Sequence, residues 1–201
     1  MDEAYASAVV ALPGIGEKIA NVIDYLVENH GMSLDNTHLI GFSLGAHIVG
    51  FVGKNVLSGK IHTIIGLDPA IPLKHYDQPD NRLNSNDAQY VESIQTSSGT
   101  LGFVKPIGKV SFYPNGGFEQ PECIDYTSVG CNHQHACLYY AEAVRSNSFP
   151  SMRCGSYMNL VNKTCDSQYS GVRMGDSEKN KLSSGVYYVP VHKTSPYGFG
   201  N

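Results

Sequence analysis

The 201-residue sequence has 16% charged residues and a formal net charge of -4, and its length suffices for one domain with a real core. No basic stripe is present, which argues against a nucleic-acid partner. No apolar run approaches 18 residues, which argues against a transmembrane segment. The first residues, MDEAYASAVVALPG, are acidic at Asp2 and Glu3 and lack a basic stretch, so they do not read as a signal peptide.

Along the chain, Ile15, Ile19, Val22, Ile23, Leu26 and Val27 recur at helical spacing. Pro13 opens that segment and Gly31 closes it, which predicts a helix over residues 14–30 with one buried face. THLIGF (Thr37–Phe42) is a short apolar run that reads as a buried strand. Ala46–Val56 reads as a helix, with small residues at Ala46, Gly50 and Gly53 that allow close packing. IHTIIGLD (Ile61–Asp68) is a second buried strand, and Ala88–Thr96 and Gly108–Pro114 are a third and a fourth. His135–Val144 is helical again, and the tail is a strand and a loop. Strands alternating with helices argue for an α/β fold with a mostly parallel sheet. No repeat or linker marks a second domain.

GFSLG, residues 41–45, lies between the first predicted strand and the second predicted helix. A serine there, flanked by glycines two places either side, is the pattern of a nucleophile elbow. The tight turn leaves no room for side chains at the flanking positions. It presents the Ser43 hydroxyl above the carboxyl ends of the strands, and it aims the next backbone N–H, that of Leu44, at a reacting carbonyl. A serine hydroxyl needs a base to become a nucleophile, and elbow enzymes place an acid and then a histidine downstream. Asp68 ends the second strand, just before Pro69 turns the chain, so its carboxylate would emerge beside the elbow. Asp77, Asp80, Asp87 and Glu92 read as solvated charges on loops or strand faces. The base must follow Asp68, which leaves His75, His133, His135 and His192, with His135 the closest rival of His133. His30, His38, His47 and His62 precede the acid and read as ordinary surface or core residues.

All five cysteines lie in the second half, and none forms a C-x-x-C pair, so no zinc site is read. Cys123 with Cys131 and Cys154 with Cys165 would close short loops, leaving one thiol over. A glycosylation sequon, Asn162-Lys163-Thr164, falls between the last two cysteines. Cysteines and sequon together suit a secretory setting.

Four segments in this order, HLIGFSLGAHIVG, IIGLDPA, FYPNGG and CNHQHACLYY, resemble the pancreatic lipase family of neutral lipases and phospholipases A1, particularly its insect members. The resemblance covers nearly the whole chain. It implies an α/β-hydrolase fold, with Ser43 as nucleophile, Asp68 as the orienting acid, His133 as general base and Leu44 as an oxyanion donor. His133 directly follows Cys131-Asn132, as in the family pattern, whereas His135 stands where many relatives carry an arginine. The resemblance implies bridges Cys123–Cys131 and Cys154–Cys165, with Cys137 free, and a lid reduced to IDYTSVG between the first pair. Gln95–Phe112, the facing loop, is also short. Short versions of both loops suit phospholipid or other polar-lipid esters at least as well as triglyceride. RLNSNDA (Arg82–Ala88) resembles the family's calcium loop, but Asn84 replaces a carboxylate usual there, so no metal and no cofactor are expected.

The family's domain begins well before this chain's first residue, with strands carrying a His-Gly segment that supplies a second oxyanion N–H. Residues 1–201 therefore read as the C-terminal part of a catalytic domain with the first strands missing and no C-terminal accessory domain, and Thr37–Phe42 would be an uncovered edge. The expected function is lipid ester hydrolysis by a secreted protein whose partner is a lipid substrate or lipid surface. The competing reading is a non-catalytic lipid-binding or yolk-type protein on the same scaffold, or an inactive fragment. The intact Ser43, Asp68 and His133 argue against the non-catalytic protein, while the absent His-Gly segment argues for weak or no activity of this chain alone.

Overall fold

The computed structural model describes residues 3–124 and 129–200. A six-stranded sheet runs in the spatial order β1 (His38–Phe42), β2 (Thr63–Leu67), β3 (Tyr90–Ile94), β4 (Val110–Pro114), β6 (Gly185–Val189) and β5 (Met152–Cys154). All neighbours are parallel except β5, a three-residue antiparallel edge that the sequence pattern did not reveal. The result is a mixed α/β sheet with mostly parallel strands. β2, β3 and β4 are buried along their whole length, as expected of parallel strands covered on both faces.

Alternate side chains of these strands feed two cores. Ile64 and Val91 point towards α1 (Glu3–His30) and α2 (Leu44–Asn55), where they meet Ala20, Ile23, Ala46 and Val52. Ile65, Leu67, Tyr90 and Phe112 point the other way, onto Ala136, Tyr139 and Ala143 of α3 (Val129–Ser146). Two short helices, α4 (Tyr157–Val161) and α5 (Ser177–Asn180), lie in the C-terminal third.

Two helices are longer than the sequence pattern predicts. α1 begins at Glu3, and Pro13 lies inside it rather than opening it. Pro13 sits on the exposed face, so the lost backbone hydrogen bond falls where water reaches, while Val9, Leu12, Gly16, Ala20 and Ile23 line the buried face. The 28-residue α1 is thereby long and apolar enough to cross a membrane by length and composition alone, with a mean hydropathy of 1.3 over 18 residues. One such helix is weak evidence of a span, since a core helix passes the same test. The buried stripe of α1 packs on α2, with Val9 and Leu12 against Phe51. α3 starts before the disulfide cysteine, so His133 lies within the helix rather than in a loop ahead of it.

The register of the sheet positions the site. Phe42 pairs with Leu67, and Leu67 with Ile94. The residues that follow each of these, Ser43, Asp68 and Gln95, therefore leave the sheet side by side at its carboxyl edge. β1 is an edge strand with Ile40 about half exposed (52%).

Candidate active site

Ser43 joins β1 to α2 with φ 57° and ψ -120°, a left-handed backbone that non-glycine residues rarely adopt. The turn is held on both sides. Ser43 N–H donates to the Leu67 carbonyl at 2.9 Å, and the Ser43 carbonyl accepts from the N–H groups of Ala46 at 3.2 Å and Ala70 at 3.3 Å. Two of these three bonds run to the segment that carries Asp68, so nucleophile turn and acid turn are fastened together through the backbone. Ser43 occupies the N-cap position of α2, yet its side chain makes no capping bond. The hydroxyl is therefore not spent on stabilising the helix, as a serine there ordinarily would be. Leu44 is the first helical residue, and its N–H has no partner within the helix.

The two glycines of the elbow differ. A Cβ on Gly41 would run into the Gly45 carbonyl and the Ala46 nitrogen, so that position admits glycine alone. A Cβ on Gly45 would meet nothing within 4 Å. The symmetric steric argument drawn from the sequence thus holds at Gly41 and not at Gly45, which faces open space at the start of α2.

Asp68 is fully buried, with φ 38°, immediately after β2. Its N–H donates to Ile94 O at 2.7 Å. Oδ1 accepts from the N–H groups of Thr96 at 2.7 Å and Ser97 at 3.0 Å. Oδ2 accepts from the Ser97 hydroxyl and from His133 Nδ1, the latter at 2.5 Å. Gly102 seals the pocket, because a Cβ there would strike the carboxylate. An ionised carboxylate only accepts, so Nδ1 of His133 carries the proton and Nε2 is left as an acceptor. The His133 ring also lies 4.4 Å from that of Phe42, centre to centre, which brings the imidazole to the strand end that leads into Ser43. No hydrogen bond joins Ser43 Oγ to His133 among the described residues; such bonds are often long until substrate is bound.

The rival histidines are otherwise engaged. His135 is buried and uses both ring nitrogens, Nδ1 to the Cys131 carbonyl at 2.8 Å and Nε2 to Glu122 Oε2 at 3.0 Å. Glu122 also accepts from the Tyr197 hydroxyl at 2.6 Å, and these contacts hold its carboxyl below the usual range. His135 therefore ties the base of the disulfide loop to the C-terminal tail. His75 and His192 are exposed. Cys123–Cys131 and Cys154–Cys165 are bridged, with Cα separations of 5.8 and 4.2 Å, and Cys137 is a free, half-buried thiol. Asn162 is exposed at the end of α4. Of the expected lid, 124–130, positions 125–128 lie outside the described residues.

Sequence reasoning missed the groups that hold the acid. The polar run after β3, QTSSG (95–99), supplies both N–H donors and the Ser97 hydroxyl, and its lack of apolar periodicity was the available signal. It also passed over His47, which is fully buried one helical turn after Ser43. Leu83 N–H donates to His47 Nδ1 at 3.0 Å, so Nε2 carries the proton and donates to Ala70 O at 2.7 Å. This neutral imidazole clamps the turn that follows Asp68. Burial pushes its pKa down from 6.5 to about 4. Because the folded state favours the neutral form, the stabilisation is complete above pH 6.5 and is lost as pH falls through about 4. A change of that size corresponds to ~3 kcal/mol. Thermal melts of His47→Gln, which bonds without titrating, should show a flatter loss of stability between pH 6.5 and 4 than the parent. Parallel slopes would refute this account.

Residues 1–197 match the model of the family described as Lipase. Lipase member H of Rattus norvegicus is 39% identical over 163 residues, covering 77% of this chain and 36% of that protein. Phospholipase A1 of Vespula maculifrons is 37% identical over 197 residues, 91% of this chain and 61% of that protein. Phospholipase A1 of Vespula vulgaris is 38% identical over 188 residues, covering 91% and 55%. The chain thus spans about a third to three-fifths of the length of these relatives. With the family match running from the first residue to Tyr197, the chain belongs to the lipase family.

Proposed function

We propose that this chain carries the reacting groups of a serine carboxylester hydrolase that cleaves lipid esters, with phospholipid at the sn-1 position or acylglycerol as substrate. The observation that carries the proposal is the buried Asp68–His133 pair, at 2.5 Å, beside a strained serine whose hydroxyl caps nothing. Ser43 Oγ attacks the acyl carbonyl while His133 Nε2 takes its proton, and Asp68 holds Nδ1–H and stabilises the imidazolium. Leu44 N–H donates to the oxyanion. His133 then returns the proton to the departing alcohol, and water hydrolyses the acyl-enzyme by the reverse sequence.

The finer fold assignment belongs to the same proposal. The parallel sheet with a serine turn after β1 and an acid turn after β2 supports the C-terminal part of an α/β-hydrolase domain. The exposed edge of β1 and the partial coverage of the relatives support further strands beside it in the whole protein. Two disulfides and the exposed Asn162 support an oxidising, secretory location with glycosylation at that residue.

An organophosphonate ester probe tests the chemistry, because it reacts only with an activated serine. On an N-terminally extended form, the probe's mass should appear on the peptide containing Ser43, and Ser43→Ala should remove it. A folded extended protein that does not label at all refutes hydrolysis and promotes lipid binding on the same scaffold.

A further inference from the structure

The loop Arg82–Ala88 that resembles a calcium loop already encloses a positive charge. Lys54, in the last turn of α2, places Nζ 2.6 Å from both carboxylate oxygens of Asp87 and 2.8 Å from the Arg82 carbonyl. Those three oxygens use all three donors of the ammonium. Asp87 is buried, and its Oδ2 also accepts the Asn84 N–H at 2.8 Å.

Two glycines of α2 make the approach possible. A Cβ on Gly53 would strike the Asp87 carbonyl, and one on Gly50 would lie 2.9 Å from both Asp87 Oδ2 and Leu83 Cα. The loop backbone therefore lies directly on the helix, within reach of the four-carbon stem of Lys54. Calcium takes six to eight oxygens, preferably with several carboxylates. Here Asp87 is the loop's only carboxylate, Asn84 holds the position where a second is usual, and a charged ammonium occupies the point where the loop's oxygens converge. The residues do not fit a calcium ion.

We propose that Lys54 is the resident cation of this loop, and that the chain fastens the loop to α2 by this lysine, independently of calcium. The consequence reaches the candidate active site, because α2 begins at the Ser43 turn and the loop follows the Asp68 turn. Lys54 and Asp87 clamp the two segments at the end of α2 away from Ser43. The cation also sits at the helix C-terminus, where the macrodipole favours it. Burial lowers the Lys54 pKa and raises that of Asp87, and each is opposed by the partner charge, so removing one charge leaves the other buried and unpaired.

The test is thermal and does not depend on the chemistry at Ser43. Melting curves of the parent chain in 5 mM calcium and in EGTA should coincide within about 1 °C, and calorimetric titration with calcium should show no binding. Lys54→Met, of similar volume, should melt on the order of 10 °C lower. Lys54→Arg, which keeps a cation, should recover most of that loss. A parent melting point that rises with calcium and falls with EGTA would overturn the proposal, as would a Lys54→Met protein as stable as the parent. Should Lys54→Met fail to fold, the parent titration and the Lys54→Arg melt decide the matter alone, a calcium response or an arginine variant as damaged as the methionine one each refuting it.

Discussion

Asp68→Asn should lower the rate of Ser43 acylation roughly 10⁴-fold while leaving the fold intact. The reasoning follows from the two ends of the carboxylate. Oδ1 accepts two backbone N–H groups, from Thr96 and Ser97. An asparagine must therefore place its carbonyl oxygen there, because an amide nitrogen would face two donors. Its NH₂ then takes the Oδ2 position, opposite the Ser97 hydroxyl and His133 Nδ1. The hydroxyl can rotate and accept, so the pocket stays satisfied. The imidazole cannot adapt without cost: Nδ1 must now accept, the proton moves to Nε2, and the nitrogen facing the nucleophile can no longer take a proton. The measurement is the rate of phosphonate labelling or ester hydrolysis beside a thermal melt. A variant that melts like the parent and retains more than a tenth of its rate would show that the Asp68–His133 pair does not serve catalysis.

The parts of this geometry that could be seen in the sequence share a physical origin. Parallel strands buried on both faces appear as short, continuous apolar runs, so TIIGL and VSFYP stand out without knowledge of their neighbours. Ser43 stands out because its backbone conformation demands glycine at Gly41. Ser43 and Asp68 follow from strand succession, since β1 and β2 each end at the same edge of the sheet, whereas His133 reaches that edge from within α3. What stayed hidden depends on contacts between segments far apart in the chain. Nothing local to Lys54 reveals that its ammonium meets Asp87, 33 residues on. Nothing local to His47 tells that both its nitrogens are satisfied by the loops that follow Asp68. The choice between His133 and His135 lay equally beyond periodicity, because both sit on one helix two residues apart and both are buried. Family register selected His133; in the structure His133 Nδ1 meets Asp68, whereas both ring nitrogens of His135 are taken by Cys131 and Glu122. The antiparallel β5 was missed for another reason, being too short at three residues to carry a period.

Gly41→Ala and Gly45→Ala should behave oppositely, although the elbow pattern treats the two glycines alike. At Gly41 the added methyl meets backbone atoms of Gly45 and Ala46. Backbone cannot rotate aside as a side chain can, so the first turn of α2 must move away from β1. Overpacking of this kind costs ~1–3 kcal/mol or more. The displaced turn carries Ser43 and the Leu44 N–H with it, and a shift of about 1 Å at reacting groups costs on the order of 10²-fold in rate. At Gly45 the methyl meets open space, and the position is helical with no positive φ. Alanine there should hold or raise the melting temperature, since replacing glycine in a helix is worth ~0.5–1 kcal/mol. Thermal melts of the two variants, with phosphonate labelling of Ser43 in each, make the comparison. Equal losses of stability at the two positions would mean that the turn is built differently from the geometry described above. A stable Gly45→Ala that labels poorly would locate the space beside Gly45 as room that the ester itself needs, and so separate the demands of the fold from those of the substrate.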